Sequence, residues 1–147
     1  GELIRQFLKR GLRFSAPGGR CFAYAGDVAE AHIDAAQKGG KGECYIAGGA
    51  NLTYMEFFTL VAGMTGAKPP ALTLPAPLVL AAGAAGSLVE KATGKHGALN
   101  LELAKLSCEY AFYSSRKAER ELGYSITPVT ASARRSLESL RAYGHIG

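Results

Sequence analysis

A chain of 147 residues fits one domain and is long enough to bury about two thirds of its unfolded surface, and its three cysteines, Cys21, Cys44 and Cys108, odd in number and without CxxC spacing, exclude a disulfide scaffold. The net charge of +5 gathers in residues 1–20, where Arg5, Lys9, Arg10, Arg13 and Arg20 face Glu2 alone, and such a basic edge reads as a solvated face rather than a nucleic-acid footprint. The longest uncharged run, between Lys68 and Glu90, is broken by prolines, so Leu78 to Val89 reads as a buried soluble helix, shorter than the ~17–25 residues of a membrane span.

Residues 2–10 place Leu3, Ile4, Phe7 and Leu8 on one helical stripe, stopped by Gly11. The chain thus opens inside an element, without an initiator methionine, as expected of a piece of a longer protein. A short apolar strand, Cys21 to Ala25, then meets a helix that Asp27 should cap, with Glu30 completing a capping box. Gly39 and Gly40 should end that helix in a left-handed stop, and Glu43 to Ala47 supplies a second strand before Gly48 and Gly49. Strand, helix and strand over residues 20–49 form a βαβ unit, the mark of an α/β fold with buried parallel strands. Two of the cysteines fall within these apolar runs, where cysteine behaves as a small hydrophobe. With no secretory leader, the expected setting is reducing and cytoplasmic.

Thr53 and Glu56 cap the next helix, whose stripe is Phe57, Phe58, Val61 and Met64 and whose end is Gly66. Pro69-Pro70 forces an extended link, Leu72 to Leu74 reads as a short strand, and Pro77 suits the first turn of an Ala- and Gly-rich helix. A helix from Leu99 to Leu106 follows. Residues 111–118 then read as a strand end turning into a serine-capped helix that stops at Gly123, and Thr127-Pro128 opens a last amphipathic helix reaching Tyr143.

Three segments in order resemble the C-terminal part of an extended short-chain dehydrogenase/reductase, in particular its dihydroflavonol-reductase-like and NAD-dependent epimerase/dehydratase groups. The first is Gly18-Gly19 through Asp27-Val28-Ala29-Glu30-Ala31-His32. The second is Tyr45-Ile46-Ala47-Gly48-Gly49 with Asn51-Leu52-Thr53 and Phe57-Phe58. The third runs from Phe112 through Lys117-Ala118 to Glu121-Leu122-Gly123-Tyr124 and Pro128, similar to an FDSSKAxxELGYxP signature. The resemblance implies an α/β fold, the C-terminal portion of a Rossmann-type protein, with the last sheet strand and a mostly helical substrate-binding region over residues 1–147. It also implies NAD or NADP in the whole protein, with none bound by this chain alone. No GxxGxxG turn is present, so the dinucleotide-binding core is expected before Gly1.

The same resemblance supplies the candidate site. Arg20, seven residues before Asp27, matches an arginine that grips a substrate diphosphate in UDP-sugar epimerases, and it equally suits a solvated strand end. Tyr110 and Phe112 fall in a stretch similar to a substrate-lining segment, where aromatics suit a flat or sugar-like substrate and also suit packing. Tyr113 and Lys117 match YxxxK but straddle a strand-to-helix turn in a different motif, so they read as a coincidence, and no catalytic residue is assigned. His32 reads as a hydrogen-bonded core histidine, and His96 and His145 have no companions at metal-ligand spacing.

The expected function is the substrate-binding part of an NAD(P)-dependent oxidoreductase acting on a ketone or other carbonyl. A nucleotide-sugar epimerase or dehydratase is the alternative, and a non-catalytic binding or dimerisation module is another. The expected partners are that small substrate, the Rossmann half and a second copy in a homo-oligomer, with no nucleic acid or membrane. A lone strand at Glu43 to Ala47 would leave apolar surface uncovered and favour self-association.

Overall fold

The computed structural model describes residues 2–94 and 100–144. In chain order the elements are α1 (Glu2–Arg10), β1 (Phe14–Ser15), β2 (Gly19–Phe22), α2 (Ala25–Lys38), β3 (Ala50–Thr53), α3 (Tyr54–Thr65), β4 (Leu72–Thr73), α4 (Ala76–Thr93), α5 (Leu101–Cys108), β5 (Tyr110–Ala111), α6 (Arg116–Leu122) and α7 (Val129–Ala142). The result is the expected α/β architecture, mostly helix with short strands. It divides into two compact units, one of Gly1–Lys9, Cys21–Leu52 and Phe112–Gly147, the other of Arg10–Arg20 and Thr53–Ala111. The strand order β3-β2-β5 defines one sheet, and β1 and β4 form a two-stranded one.

In the first unit, α1 buries Ile4 and Phe7 as its periodicity predicts, while Leu3 stays exposed. The strand expected at Cys21 to Ala25 lies earlier, at Gly19–Phe22, because Tyr24 is already the N-cap of α2 and Ala25 its first residue. Asp27 therefore sits inside the first turn rather than capping it. Its two carboxylate oxygens accept the Thr127 N–H and the Thr127 hydroxyl, each at 2.7 Å. Glu30 is exposed and no capping box forms. The helix does stop before Gly39, but that residue is extended, with φ −65°, rather than left-handed.

Glu43 to Ala47 is not a strand; the strand after α2 is β3. An extended segment becomes a strand only beside a hydrogen-bonding neighbour, and among the described residues this one has helices instead. Tyr45 and Ala47 pack on the buried cluster of Ala31, Ala118, Leu122 and Tyr124. The alternate residues, Cys44 and Ile46, are exposed, so Cys44 is not the buried hydrophobe its surroundings suggested. The strand–helix–strand unit thus closes on β3 rather than at residue 47.

Gly48 joins this cluster to α6. Its N–H donates to Ser115 Oγ at 2.9 Å, and its carbonyl accepts the Tyr124 hydroxyl at 2.7 Å. Gly49 donates to Cys21 Sγ at 3.1 Å, and a Cβ there would sit on the Phe22 carbonyl oxygen. Because Ser115 is turned toward Gly48, it does not cap α6 as expected. Likewise Thr127 faces Asp27, and α7 begins at Val129 with Pro128 as its N-cap. Desolvation raises the Tyr124 phenol above its ordinary 10.0, with the charge of Asp27 adding to it.

In the second unit, β1 and β4 pair in parallel, Phe14 with Leu72 and Ser15 with Thr73. The capping box on α3 is present as read: Glu56 N donates to Thr53 Oγ1, and the Glu56 carboxylate accepts Thr53 N–H at 2.8 Å. Gly66 closes that helix at φ 73°, and Phe57, Phe58, Val61 and Ala62 are buried. Met64 is half-buried.

Proline stands in the first turn of α4, yet the helix is not buried as expected: Val79 and Gly83 are its buried residues. Among the described residues its main packing is on α5, where a Cβ on Gly83 would run into Ala104. Leu78, Leu88 and Val89 are 58%, 70% and 60% exposed. Helix α5 starts at Leu101, capped by Asn100, which accepts Leu103 N–H at 2.9 Å. Leu99, His96 and His145 lie outside the described residues.

Candidate substrate site

Strand β2 carries Gly19 and Arg20 alongside β5, in parallel register, Gly19 with Tyr110 and Arg20 with Ala111. Gly18 and Gly19 make this approach possible. Their N–H groups donate to the carbonyls of Ser107, at 3.0 Å, and Glu109, at 3.1 Å, where a side chain on Gly18 would collide with backbone. Because partners in register share a face and neighbours along a strand alternate, Arg20 and Tyr110 project from opposite faces of the pair. The structure makes them neighbours in the sheet but does not converge their side chains.

Arg20 reaches the C-terminal turn of α5, donating from one Nη to the Leu106 carbonyl at 2.6 Å. A cation here meets the negative end of the helix dipole, at a carbonyl that also accepts the Glu109 N–H at 3.4 Å. Tyr110 is 59% exposed, and opposite it stands Gly19, which has no side chain at that position of β2. Phe112, 42% exposed, follows β5 and belongs to the first unit. There Asn51 grips the next residue from both sides: its Nδ2 donates to the Tyr113 carbonyl at 2.9 Å, and its Oδ1 accepts the Tyr113 N–H at 3.2 Å. Sequence reasoning missed this role of Asn51; an asparagine just before a cap residue was the only signal.

Tyr113 and Lys117 do not form a catalytic pair on one helix face. Tyr113 precedes α6, and Lys117 turns to Glu43, to the Cys44 carbonyl at 3.0 Å and to the ring of Tyr45, 4.7 Å from its centroid. The bond to Glu43 raises the lysine above its ordinary 10.5. His32 is exposed rather than in the core, with Nδ1 2.7 Å from the Val28 carbonyl one turn back. Among the described residues no group of three His, Cys, Asp or Glu could hold a metal ion. Nor is any helix there long and apolar enough to cross a membrane.

A dinucleotide needs a strand-to-helix turn whose bare N–H groups meet its pyrophosphate. At the start of α2 the first turn holds the Asp27 carboxylate, and at the start of α3 the Glu56 carboxylate already occupies Thr53 N–H. These two of the four strand-to-helix junctions therefore disfavour an anion, and neither fits the group. A cleft of about 210 Å³ in the first unit, with Ala31, Ala47 and Leu122 among its walls, is below the ~300 Å³ at which ligand pockets begin.

No family model matches the chain. Its sequence is 25% identical, over 99% of its length, to a Synechocystis protein named "Putative dihydroflavonol 4-reductase", and it spans 44% of that relative. Among solved structures, gox2253 aligns with a TM-score of 0.78 at 27% identity, covering 99% of this chain and 44% of the other. A nucleoside-diphosphate-sugar epimerase from Pseudomonas aeruginosa aligns at 0.76 and 21% identity, covering 100% and 43%. UDP-glucuronic acid 4-epimerase from Bacillus cereus, solved with NAD, aligns at 0.54 and 15%, covering 89% and 34%. The fold is that of the C-terminal part of an extended short-chain dehydrogenase/reductase. Within it, the sequence relative is of the dihydroflavonol-reductase-like kind, and the chain spans less than half of the proteins it matches.

Proposed function

We propose that this chain is the substrate-binding region of an NAD(P)-dependent oxidoreductase that reduces a ketone or related carbonyl. The observation that carries the reading is the placement of Arg20. Its guanidinium is bound to the end of α5, on the face of the strand pair opposite Tyr110, so the accessible aromatic face is without this positive charge. A flat, uncharged substrate suits such a face better than a diphosphate. In this reading the coenzyme is held by residues outside the chain, since no GxxGxxG turn is present and the β2–α2 and β3–α3 junctions each carry a carboxylate. Tyr110 offers ring surface to the reactant, and Asn51 fixes the backbone beside Phe112.

A nucleotide-sugar epimerase remains the second reading because a guanidinium has five N–H donors and the bond to Leu106 uses one of them. The test uses the full-length gene product, following oxidation of NADH and NADPH with aromatic ketones and, separately, interconversion of UDP-sugars. Ketone turnover that survives Arg20→Ala and loses affinity for substrate in Tyr110→Ala supports the reductase. UDP-sugar turnover that collapses in Arg20→Ala selects the epimerase. A product of the whole gene that binds neither coenzyme would overturn both.

A further inference from the structure

Residues 112–114 run between two fixed points without belonging to a helix or a strand. Before them Ala111 is paired in register with Arg20, and after them Ser115 Oγ accepts the Gly48 N–H at 2.9 Å. Phe112, Tyr113 and Ser114 are all exposed. A chain in that position turns freely at φ and ψ unless its peptide groups are held.

Asn51 holds them. Strand β3 presents it, and that strand is anchored one residue before its start, where the Gly49 N–H meets Cys21 Sγ. From there one carboxamide bonds both polar groups of the Tyr113 backbone, Nδ2 donating to the carbonyl at 2.9 Å and Oδ1 accepting the N–H at 3.2 Å. In an antiparallel sheet a residue exchanges both of these bonds with one opposite partner, so the side chain stands in for a strand neighbour at a single position. Asparagine suits the task because its amide carries a donor and an acceptor side by side; Asp offers two acceptors, and Gln places the same amide one carbon further out. Asn51 is itself exposed and fills no part of the core, so its two bonds order a loop.

We propose that Asn51 is a positioning residue of the substrate site, acting through the Tyr113 backbone to hold the rings of Phe112 and Tyr113 where a flat aromatic ketone stacks. The role presupposes the reductase function proposed above. The N–H that Asn51 accepts belongs to the peptide joining Phe112 to Tyr113, so its direction bears on both rings. A ring fixed before the reactant arrives does not draw its ordering cost from the binding energy. Stacking on the aromatic part is made equally by ground state and transition state, because the reaction takes place at the carbonyl. Such an interaction sets KM and leaves kcat alone.

The test uses the full-length gene product, with acetophenone and 2-butanone as substrates and oxidation of NADPH or NADH as the signal. Asn51→Ala should raise KM for acetophenone about tenfold with kcat held within about twofold, and should change KM for 2-butanone, which has no ring, much less. Asn51→Asp, equal in shape but with a second acceptor facing the Tyr113 carbonyl, should raise KM for acetophenone in the same way. Thr53→Ala opens the neighbouring cap of α3 without touching Tyr113, so it controls for loosening in general and should leave both constants unchanged. Hydrogen exchange at the Tyr113 amide should accelerate in the two Asn51 variants and not in Thr53→Ala. Unchanged KM in both Asn51 variants of an enzyme that reduces acetophenone, an equal rise in Thr53→Ala, or an equal rise for 2-butanone would overturn the role of Asn51 and leave the reductase function standing. So would a Phe112→Ala variant that lowers the melting temperature and not the affinity, the ring then being covered by the rest of the protein. A wild type that reduces no ketone would overturn both.

Discussion

Polar residues at helix starts are put to different use in the two units. In the second unit Thr53 and Asn100 satisfy the first turns of their own helices, α3 and α5, through bonds spanning three residues. In the first unit Asp27, Ser115 and Thr127 stand at comparable places and look outward: Asp27 and Thr127 bind each other across 100 residues, and Ser115 binds Gly48 across 67. The same side-chain chemistry that closes a helix end locally can tie distant elements together, and the choice depends on what is packed within reach. One unit is stapled at long range. The other closes its α3 and α5 starts locally.

Substitutions at the staples should therefore cost more than substitutions at the caps. The largest effect is expected at Gly49, where a Cβ would sit on the Phe22 carbonyl and the only relief is backbone movement. Gly49→Ala should lower stability by about 3 kcal/mol, read from the midpoint of chemical denaturation. A cost near zero would mean that the approach of these segments is looser than described.

Asp27→Ala removes both acceptors from Thr127 and leaves its N–H without that partner, for a loss of about 2 kcal/mol. Asp27→Asn, which keeps one carbonyl acceptor and gains a donor for Thr127 Oγ1, should recover about half of that. Equal losses in the two variants would show that charge rather than bonding geometry matters at this position. Thr53→Ala should cost about 1 kcal/mol, and hydrogen exchange should show the change confined to the first turn of α3.

The smallest effect is a dependence on pH. The Thr53 N–H, and after it the Thr53 hydroxyl, hold the Glu56 carboxyl below its ordinary 4.5. A carboxyl lowered on folding contributes fully above 4.5, and its contribution disappears as pH falls through the lowered value. Exchange at the Thr53 and Glu56 amides should accelerate in that acid range and nowhere above it, and Glu56→Gln should remove the dependence.

Much of the fold was legible in the sequence because it follows from local chemistry. The stripe of Ile4 and Phe7, the capping box of Thr53 and Glu56, the left-handed glycines at 66 and 123 and the proline in the first turn of α4 depend on spacings of a few residues. The ordered motifs likewise pointed to the reductase fold. Of the candidate site, the residues were named, but their directions were not. Arg20 turns to the end of α5 and Tyr110 to the opposite face, a matter of strand register rather than of composition.

The sequence by itself determined where the helices lie and how most of them stop, since a helix is closed by bonds three and four residues apart. Only the tertiary structure decided that Glu43 to Ala47 lies against helices instead of joining a sheet, that Asp27 meets Thr127, and that one side of α4 stays bare. A strand partner, a distant acceptor and a covering surface are each supplied by another part of the molecule, so no window of neighbouring residues contains them.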